Sequence, residues 1–96
     1  MSLYIFVRFD AKSGLLDQLR EELLAILPPT RAESGCLDIH LYEEKSGSGT
    51  FFIHSIWQDD AALDAHAQLP HMKRFLALLG NIATNQVKAV RTHQIG

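Results

Sequence analysis

The sequence predicts an α+β domain whose elements follow the order β-α-β-β-α-β. Three observations predict it. The chain has 96 residues, which fits one domain, four segments show alternating or continuous apolar residues, and intervening segments show apolar residues at helical spacing. A hydrophobic content of 47% is ordinary for a globular protein. We therefore interpret residues 1–96 as a single domain with one core.

The first half of the pattern is a strand followed by a helix. Leu3–Asp10 is the predicted strand, since one set of its alternate positions is wholly apolar. Ser13 is predicted to cap the following helix. The apolar stripe of that helix consists of Leu16, Leu19, Leu23, Ile26 and Leu27. Pro28 and Pro29 are expected to stop it because proline lacks an N–H donor, and Thr30–Ser34 is expected to form a separate helical turn.

The middle of the chain is predicted to form a β-hairpin. Cys36–Glu44 is the second strand, Lys45–Thr50 is the turn, and Phe51–Gln58 is the third strand, which is mostly apolar or aromatic. With the turn centred in this loop, His40 faces His54 across the two strands. These two histidines, with Asp38 as a third ligand, leave open a metal site or a polar cluster at an interface.

The second helical region is predicted to be split in two. Asp59 is a favourable N-cap for a helix at Asp60–Leu69, and Pro70 suits the first position of the next helix. Thr84–Gln94 is predicted to be the last strand. This order is the split βαβ, or ferredoxin-like, plan, in which helices cover one face of a four-stranded antiparallel sheet.

Both faces of the predicted sheet are apolar, although helices cover only one of them. On one face lie Tyr4, Phe6, Phe52 and Ile56, and on the other lie Ile5, Val7, Ile53 and Trp57. Burial of apolar surface contributes about 25 cal/mol per Å², and a large exposed apolar patch commonly marks an interface. We therefore expect a homodimer formed sheet against sheet.

Composition excludes several classes of function. The net charge of −2 and the scattered basic residues argue against a nucleic-acid partner. Cys36 is the only cysteine, which excludes an intramolecular disulfide and a cysteine zinc site. No apolar run approaches the ~20 residues of a membrane span, and the N-terminus lacks a signal-peptide pattern. We expect a soluble, cytoplasmic protein without a membrane partner.

Two segments resemble motifs of the antibiotic biosynthesis monooxygenase (ABM) family. Thr30–Leu37, with the sequence TRAESGCL, is similar to the TR-x-E-x-GC segment of that family. Trp57–Phe75 is similar to its W-x(3)-(A)AL-x-AH-x(3)-PH-x(3)-F stretch. The family commonly has a glutamate two positions before the tryptophan, where this chain has Ser55. The likeness covers almost the whole chain.

The resemblance implies a dimeric α+β barrel and oxygenation without flavin, haem or metal. We accordingly expect no cofactor and no metal site, and a small molecule as substrate. Members of the family and its superfamily include quinol and polyketide monooxygenases, haem-degrading enzymes and an isomerase of a phosphorylated sugar. Fold and superfamily therefore leave the substrate open.

His66 is the predicted catalytic base. It shares a helix face with Ala62, Leu63 and Leu69, so its imidazole is expected to point toward the sheet. Histidine takes up a proton near neutral pH, which suits a general base. The alternative is a histidine at the edge of the core, hydrogen-bonded to a backbone carbonyl.

Four further residues are predicted to bind substrate. Trp57 would form a wall for a flat aromatic compound, with the alternative that it only anchors the core. His71 would border the same cavity or lie on the surface. Tyr42 and Arg8 would orient oxygen substituents of the substrate.

Three functions remain open at this point. The first is a cofactor-independent monooxygenase acting on a small electron-rich aromatic compound. The second is an isomerase of a small carbonyl compound that uses the same base. The third is a non-catalytic dimer that binds a small molecule.

Overall fold

The structure, a computed structural model, describes all 96 residues and contains four strands and three helices in the predicted order. The strands are β1 Leu3–Asp10, β2 Cys36–Glu43, β3 Thr50–Trp57 and β4 Val90–Thr92. The helices are α1 Leu16–Arg31, α2 Asp60–Gln68 and α3 Pro70–Ile82.

The four strands form one antiparallel sheet in the order β2-β3-β1-β4. Strands β1 and β3 pair along their whole length, from Leu3 opposite Trp57 to Asp10 opposite Thr50. The ferredoxin-like α+β fold is therefore confirmed. The hairpin register is also as predicted, with His40 directly opposite His54.

The core lies between one face of the sheet and the helices. Its larger part is centred on fully buried side chains, among them Phe51, Phe75, Leu19 and Leu23. A smaller cluster consists of Ile5, Trp57 and Leu63, where α2 packs on the end of β3. The side chain of Trp57 is thus held by this smaller cluster and not by the larger part of the core.

The opposite face of the sheet has no helices over it. Four large side chains on this face are exposed, namely Phe6 (52%), Tyr42 (52%), Val90 (45%) and Phe52 (41%). Because successive residues of a strand point to opposite faces of the sheet, these positions alternate along the strands with the buried positions that face the helices. The homodimer predicted through this face stays a prediction.

Helix α1 runs through the two prolines, so the predicted stop at Pro28 is wrong. The helix continues to Arg31 and takes in part of the segment that was predicted to be a separate turn. The two missing N–H donors would have bonded to carbonyls of Leu24 and Ala25, residues that are exposed, so water can satisfy those carbonyls. Thr30, which is completely buried, holds the last turn against the core.

The predicted cap by Ser13 is also wrong. The helix begins at Leu16, its N-cap is Leu15, and no side chain caps it. Ser13 lies in an exposed turn closed by a hydrogen bond from Leu15 N to Lys12 O, with Gly14 at a φ of +80°. The N-cap position is therefore Leu15, two residues after Ser13, and the serine hydroxyl does not cap the helix.

The last strand is much shorter than the predicted Thr84–Gln94. The side-chain amide of Asn85 accepts a hydrogen bond from Asp10 N and donates one to Arg8 O, each 2.9 Å long. One side chain therefore takes the β1 edge groups that a longer β4 would have paired.

None of the three helices has the length and apolar character needed to cross a membrane.

Candidate active site

His66 and Trp57 lie in direct contact, as the helix-face argument predicted. Their ring centroids are 4.6 Å apart and the ring planes are tilted by 46°. Helix α2 places His66 one turn after Leu63, so both side chains point at the sheet. Asp59 fixes the start of this helix, since its carboxylate accepts a hydrogen bond from Ala62 N at 2.8 Å.

Glu33 is the hydrogen-bond partner of His66, and it was not among the predicted site residues. Its Oε2 atom lies 2.7 Å from His66 Nδ1, and both side chains are largely buried. The alternative of a backbone carbonyl as the partner of this histidine is therefore wrong. The signal was present in the sequence, because Glu33 is the acid of the TR-x-E-x-GC segment.

The loop that carries Glu33 is held against α2 by close backbone packing. A Cβ atom at Gly35 would lie 2.5 Å from Ala62 Cβ, so only glycine fits there without a shift. The carbonyl of Gly35 also accepts a hydrogen bond from Gln58 N at 2.9 Å, just beyond the end of β3. These contacts bring a carboxylate from before β2 to a histidine on α2.

His71 completes a group of three side chains. Its ring centroid is 5.9 Å from that of His66, and its Nε2 atom lies 3.3 Å from Glu33 Oε2. This Nε2 atom is buried and lacks a partner with hydrogen-bond geometry. His71 is therefore beside the site, although it does not line the cavity that His66 lines.

Ser55, at the position where an acid is usual in the resembled family, is the partner of Trp57. The indole Nε1–H donates a hydrogen bond to Ser55 Oγ at 3.0 Å, and both residues are buried. The indole donor is thus satisfied without burying a charge. The carboxylate that contacts His66 is that of Glu33.

A cavity of about 250 Å³ lies between the sheet and helices α2 and α3. Trp57, His66 and Ser55 contribute to one end of its wall, and the remainder is mainly apolar. Residues 87–89 and Arg91 also line it. Arg91 is tied to α2 by hydrogen bonds of 2.6 Å to Asp60 and 2.6 Å to Asp64.

Arg8 and Tyr42 lie on the other face of the sheet, away from this cavity. They border an open depression of about 800 Å³ that also includes Phe6, Phe52 and Lys88. The structure therefore brings together His66, Trp57 and His71 and does not bring Arg8 or Tyr42 to them within one chain. The roles of Arg8 and Tyr42 in substrate binding stay predictions.

His40 and His54 are cross-strand neighbours, yet they do not assemble three converging ligands. His40 Nε2 pairs with Asp38 Oδ1 at 2.9 Å, whereas the ring of His54 packs on Phe6 at a centroid distance of 4.7 Å. The group whose ligand atoms converge is Glu33, His66 and His71, all within 4.8 Å of one another.

The thiol of Cys36 lies near the same carboxylate. Burial, together with the negative charge of Glu33, raises the pKa of the Cys36 thiol. A protonated thiol is a poor nucleophile, so this cysteine has the character of a small core residue.

The paired His66 and Glu33 can act as a general base. With the Nδ1–H donating to the carboxylate, the lone pair is on Nε2, and the carboxylate stabilises the imidazolium formed on proton uptake. The adjoining cavity is lined mainly by apolar side chains.

Comparisons with known proteins show the family to which the chain is related. Residues 2–78 match the model of the family described as "Antibiotic biosynthesis monooxygenase". "Putative monooxygenase Rv0793" of Mycobacterium tuberculosis is 34% identical over 83 residues, covering 86% of this chain and 81% of that protein. "Putative monooxygenase YcnE" of Bacillus subtilis is 30% identical over 92 residues, covering 96% and 93%.

Solved structures show the same fold. The structure of PA3566 from Pseudomonas aeruginosa has a TM-score of 0.92 and 32% identity, covering 99% of this chain and 95% of that chain. The structure of Rv0793 has a TM-score of 0.92 and 28% identity, covering 100% and 97%. On the family match, the sequence relatives and the shared fold, the chain belongs to the antibiotic biosynthesis monooxygenase family.

Proposed function

We propose that this protein is a cofactor-independent monooxygenase that oxidises a small electron-rich aromatic compound of the quinol or polyketide-like class. The observation that carries the proposal is the 2.7 Å pair of Glu33 and His66, placed against Trp57 at the wall of an apolar cavity. The names of the relatives from Mycobacterium tuberculosis and Bacillus subtilis support monooxygenation in general.

The first step is removal of a phenolic proton by His66. Its Nε2 atom accepts the proton, while Glu33 holds the Nδ1–H and balances the positive charge that develops on the ring. The resulting substrate anion is a much stronger electron donor than the neutral phenol. It therefore reduces oxygen without help from a flavin or a metal.

The second step is the reaction of the anion with oxygen. One electron passes from the anion to O₂, and the two radicals combine at a ring carbon to give a peroxide. Loss of water from this peroxide leaves one oxygen atom in the product. For a quinol with one free ring C–H, the sum is one quinol and one O₂ giving one hydroxyquinone and one H₂O.

The size and lining of the cavity support a small aromatic substrate. Pockets for drug-sized ligands commonly enclose about 300–1,000 Å³, and this cavity of about 250 Å³ is smaller. It therefore suits one or two fused rings. Trp57 is among the residues that line the cavity, and its N–H is already engaged by Ser55.

We also propose that two copies associate through the uncovered sheet face. Its exposed aromatic side chains support this, since an apolar patch of this kind is costly to leave in water. Arg8 and Tyr42 would then lie at the interface, and any contact they make with substrate would need the second copy. Light scattering at micromolar concentration tests the association, and a monomer would contradict it.

Mass spectrometry of the product formed under ¹⁸O₂ tests the reaction. A menadiol-type quinol should give a product with one ¹⁸O atom, together with one O₂ consumed per product. His66→Ala should reduce the rate to that of uncatalysed autoxidation, whereas His93→Ala, in the exposed tail, should leave it unchanged. Equal rates for His66→Ala and the unaltered protein would show that the base is assigned wrongly.

The same pair of side chains also supports a proton-transfer reaction on a small carbonyl compound. An isomerase would turn over under strict anaerobiosis, which a monooxygenase would not. A protein that only sequesters its ligand would gain thermal stability with a panel of quinols and form no product. Anaerobic turnover would therefore favour the isomerase, and stabilisation without product would favour the binding protein. Either result would contradict the monooxygenase proposal.

A further inference from the structure

Three side chains with metal-binding atoms converge beside the cavity, and the proposed reaction uses only two of them. Glu33, His66 and His71 each offer one ligand atom, and the three atoms lie within 4.8 Å of one another. They come from the loop before β2, from α2 and from the first turn of α3. Three separate segments of the chain thus deliver ligand atoms to one point.

The separations are close to those of a metal site. Glu33 Oε2 lies 2.7 Å from His66 Nδ1 and 3.3 Å from His71 Nε2. Ligand atoms of a tetrahedral zinc ion, with bonds of about 2.0–2.2 Å, lie about 3.4 Å apart. Small side-chain rotations would therefore make room for an ion between these three atoms.

His71 supplies an independent observation. Its Nε2 atom is buried and has no hydrogen-bond partner, although it faces the same carboxylate oxygen. A buried polar nitrogen without a hydrogen-bond partner is uncommon in folded proteins. A cation bound to Glu33 and His66 would give that nitrogen a partner.

The donor set selects the class of ion. Two imidazoles and one carboxylate, with a water as the fourth ligand, form several known zinc sites. Imidazole favours zinc and neighbouring transition metals, whereas magnesium and calcium favour sites made of oxygen atoms. The three side chains are also only 10–24% exposed, which limits competition from water.

We propose that Glu33, His66 and His71 bind a divalent transition metal ion of the Zn²⁺ class, and that the bound ion blocks the base function of His66. A metal on Nδ1 uses the lone pair there, so the proton of the neutral imidazole must sit on Nε2. That nitrogen then has no lone pair with which to accept a substrate proton. This second part rests on the proposed function.

Binding is tested on the metal-free protein with Zn²⁺ alone. Calorimetric titration should give one ion per chain with a dissociation constant in the micromolar range or below. Co²⁺ should give visible absorption bands typical of four or five ligands. Glu33→Gln and His71→Gln should each weaken Zn²⁺ binding by at least about tenfold to a hundredfold, the range seen even for loss of second-shell partners.

Two control variants separate this site from other metal-binding groups on the chain. His40→Gln removes the exposed histidine that pairs with Asp38, and Cys36→Ser removes the only thiol near Glu33. Neither should change the affinity or the Co²⁺ spectrum. Circular dichroism should show that Glu33→Gln and His71→Gln stay folded.

Two results would overturn the metal site. One is a dissociation constant above about 1 mM for the unaltered protein, which is too weak for a built site. The other is a loss of affinity in His40→Gln with none in Glu33→Gln.

Turnover distinguishes failure of the metal site from failure of the proposed function. Saturating Zn²⁺ should abolish quinol oxidation by the unaltered protein, and excess chelator should restore it. Binding without any quinol oxidation, with or without the ion, would keep the site and refute the monooxygenase. Binding with oxidation that stays unchanged or rises would keep the site and refute the inhibition.

Discussion

The indole N–H of Trp57 donates to the hydroxyl of Ser55 across 3.0 Å, and the two residues are 1% and 3% exposed. The serine, at a position where the family commonly has an acid, gives the buried indole a neutral hydrogen-bond partner. A glutamate there would bring a charge into a site that already contains Glu33. The hydroxyl satisfies the indole donor and leaves Glu33 as the carboxylate that serves His66.

Ser55→Ala is expected to lower the free energy of unfolding by about 1–3 kcal/mol, because it leaves a buried indole N–H without a partner. Urea unfolding measures the change. Ser46→Ala is the matched control, since the Ser46 hydroxyl binds Glu44 at an exposed position. The control should change stability by no more than about 0.5 kcal/mol. Equal effects in both variants would contradict the assigned role of the Ser55 hydroxyl.

Glu33→Gln is expected to lower kcat by about 10²-fold, the lower part of the range for general-base catalysis. The amide keeps the size of the side chain but cannot stabilise an imidazolium on His66. KM should change little, since Glu33 does not line the cavity. Steady-state oxygen uptake measures both constants. Glu44→Gln, at an exposed turn, is the control, and an unaltered kcat in Glu33→Gln would refute the pairing as catalytic.

Much of the fold could be predicted because it depends on local patterns. The position of the turn between β2 and β3 predicted the register that places His40 opposite His54. The contact of His66 with Trp57 could also be predicted, because one helix face and one strand end determine it. These features depend on spacing within single elements and on the order of the elements.

Other features depend on contacts between distant segments. Helix α1 continues through Pro28 into a last turn in which Thr30 is fully buried. The shortness of β4 depends on the Asn85 side chain, which bonds to the edge of β1. The place of Glu33 depends on how closely Gly35 approaches α2. The pattern of apolar residues within one segment does not predict contacts between segments that are distant in the sequence.

Gly35→Ala is expected to destabilise the fold by about 1–3 kcal/mol, the range for overpacking. Its new Cβ would lie 2.5 Å from Ala62 Cβ, so the Glu33 loop must move from α2. Gly80→Ala is the matched control, since a Cβ there meets nothing within 4 Å and the residue lies in helix α3. The control should stabilise by about 0.5–1 kcal/mol. Chemical denaturation measures the free energy of unfolding of both variants. An unchanged free energy in Gly35→Ala would refute the close approach of Gly35 to α2.

The ion pair of Arg20 and Glu43 is expected to make stability depend on pH on the acid side. Arg20 donates two hydrogen bonds, of 2.9 and 2.7 Å, which hold the pKa of the Glu43 carboxyl below its ordinary value of 4.5. A carboxyl with a depressed pKa stabilises the fold above its unfolded-state pKa, and the contribution is lost as pH falls through the folded-state value.

Glu43→Gln should therefore lower Tm at neutral pH, and the difference from the unaltered protein should shrink toward zero as pH falls below the ordinary pKa of 4.5. Thermal melts at several pH values measure this difference. Glu21→Gln, on the exposed side of the same helix as Arg20, is the control. A difference that stays constant down to acid pH would contradict the role of the ion pair.

Arg91 is expected to control access to the cavity more than it controls stability. It lines the cavity and binds both Asp60 and Asp64 at 2.6 Å, which joins the last strand to the first turns of α2. These hydrogen bonds raise the pKa of the Arg91 guanidinium, with the Asp64 contribution the larger. Because the group is exposed, solvent screens the pair and its effect on Tm should be small.

Arg91→Gln should speed hydrogen exchange in residues 87–92 and raise KM, while kcat stays close to its original value. The same changes should follow in the unaltered protein at about 1 M salt, where the Debye length falls to about 3 Å. Arg74→Gln is the matched control, because Arg74 makes one exposed 3.2 Å bond to Glu22 and does not line the cavity. Unchanged exchange in residues 87–92 of Arg91→Gln would show that the segment is held closed by its apolar contacts alone.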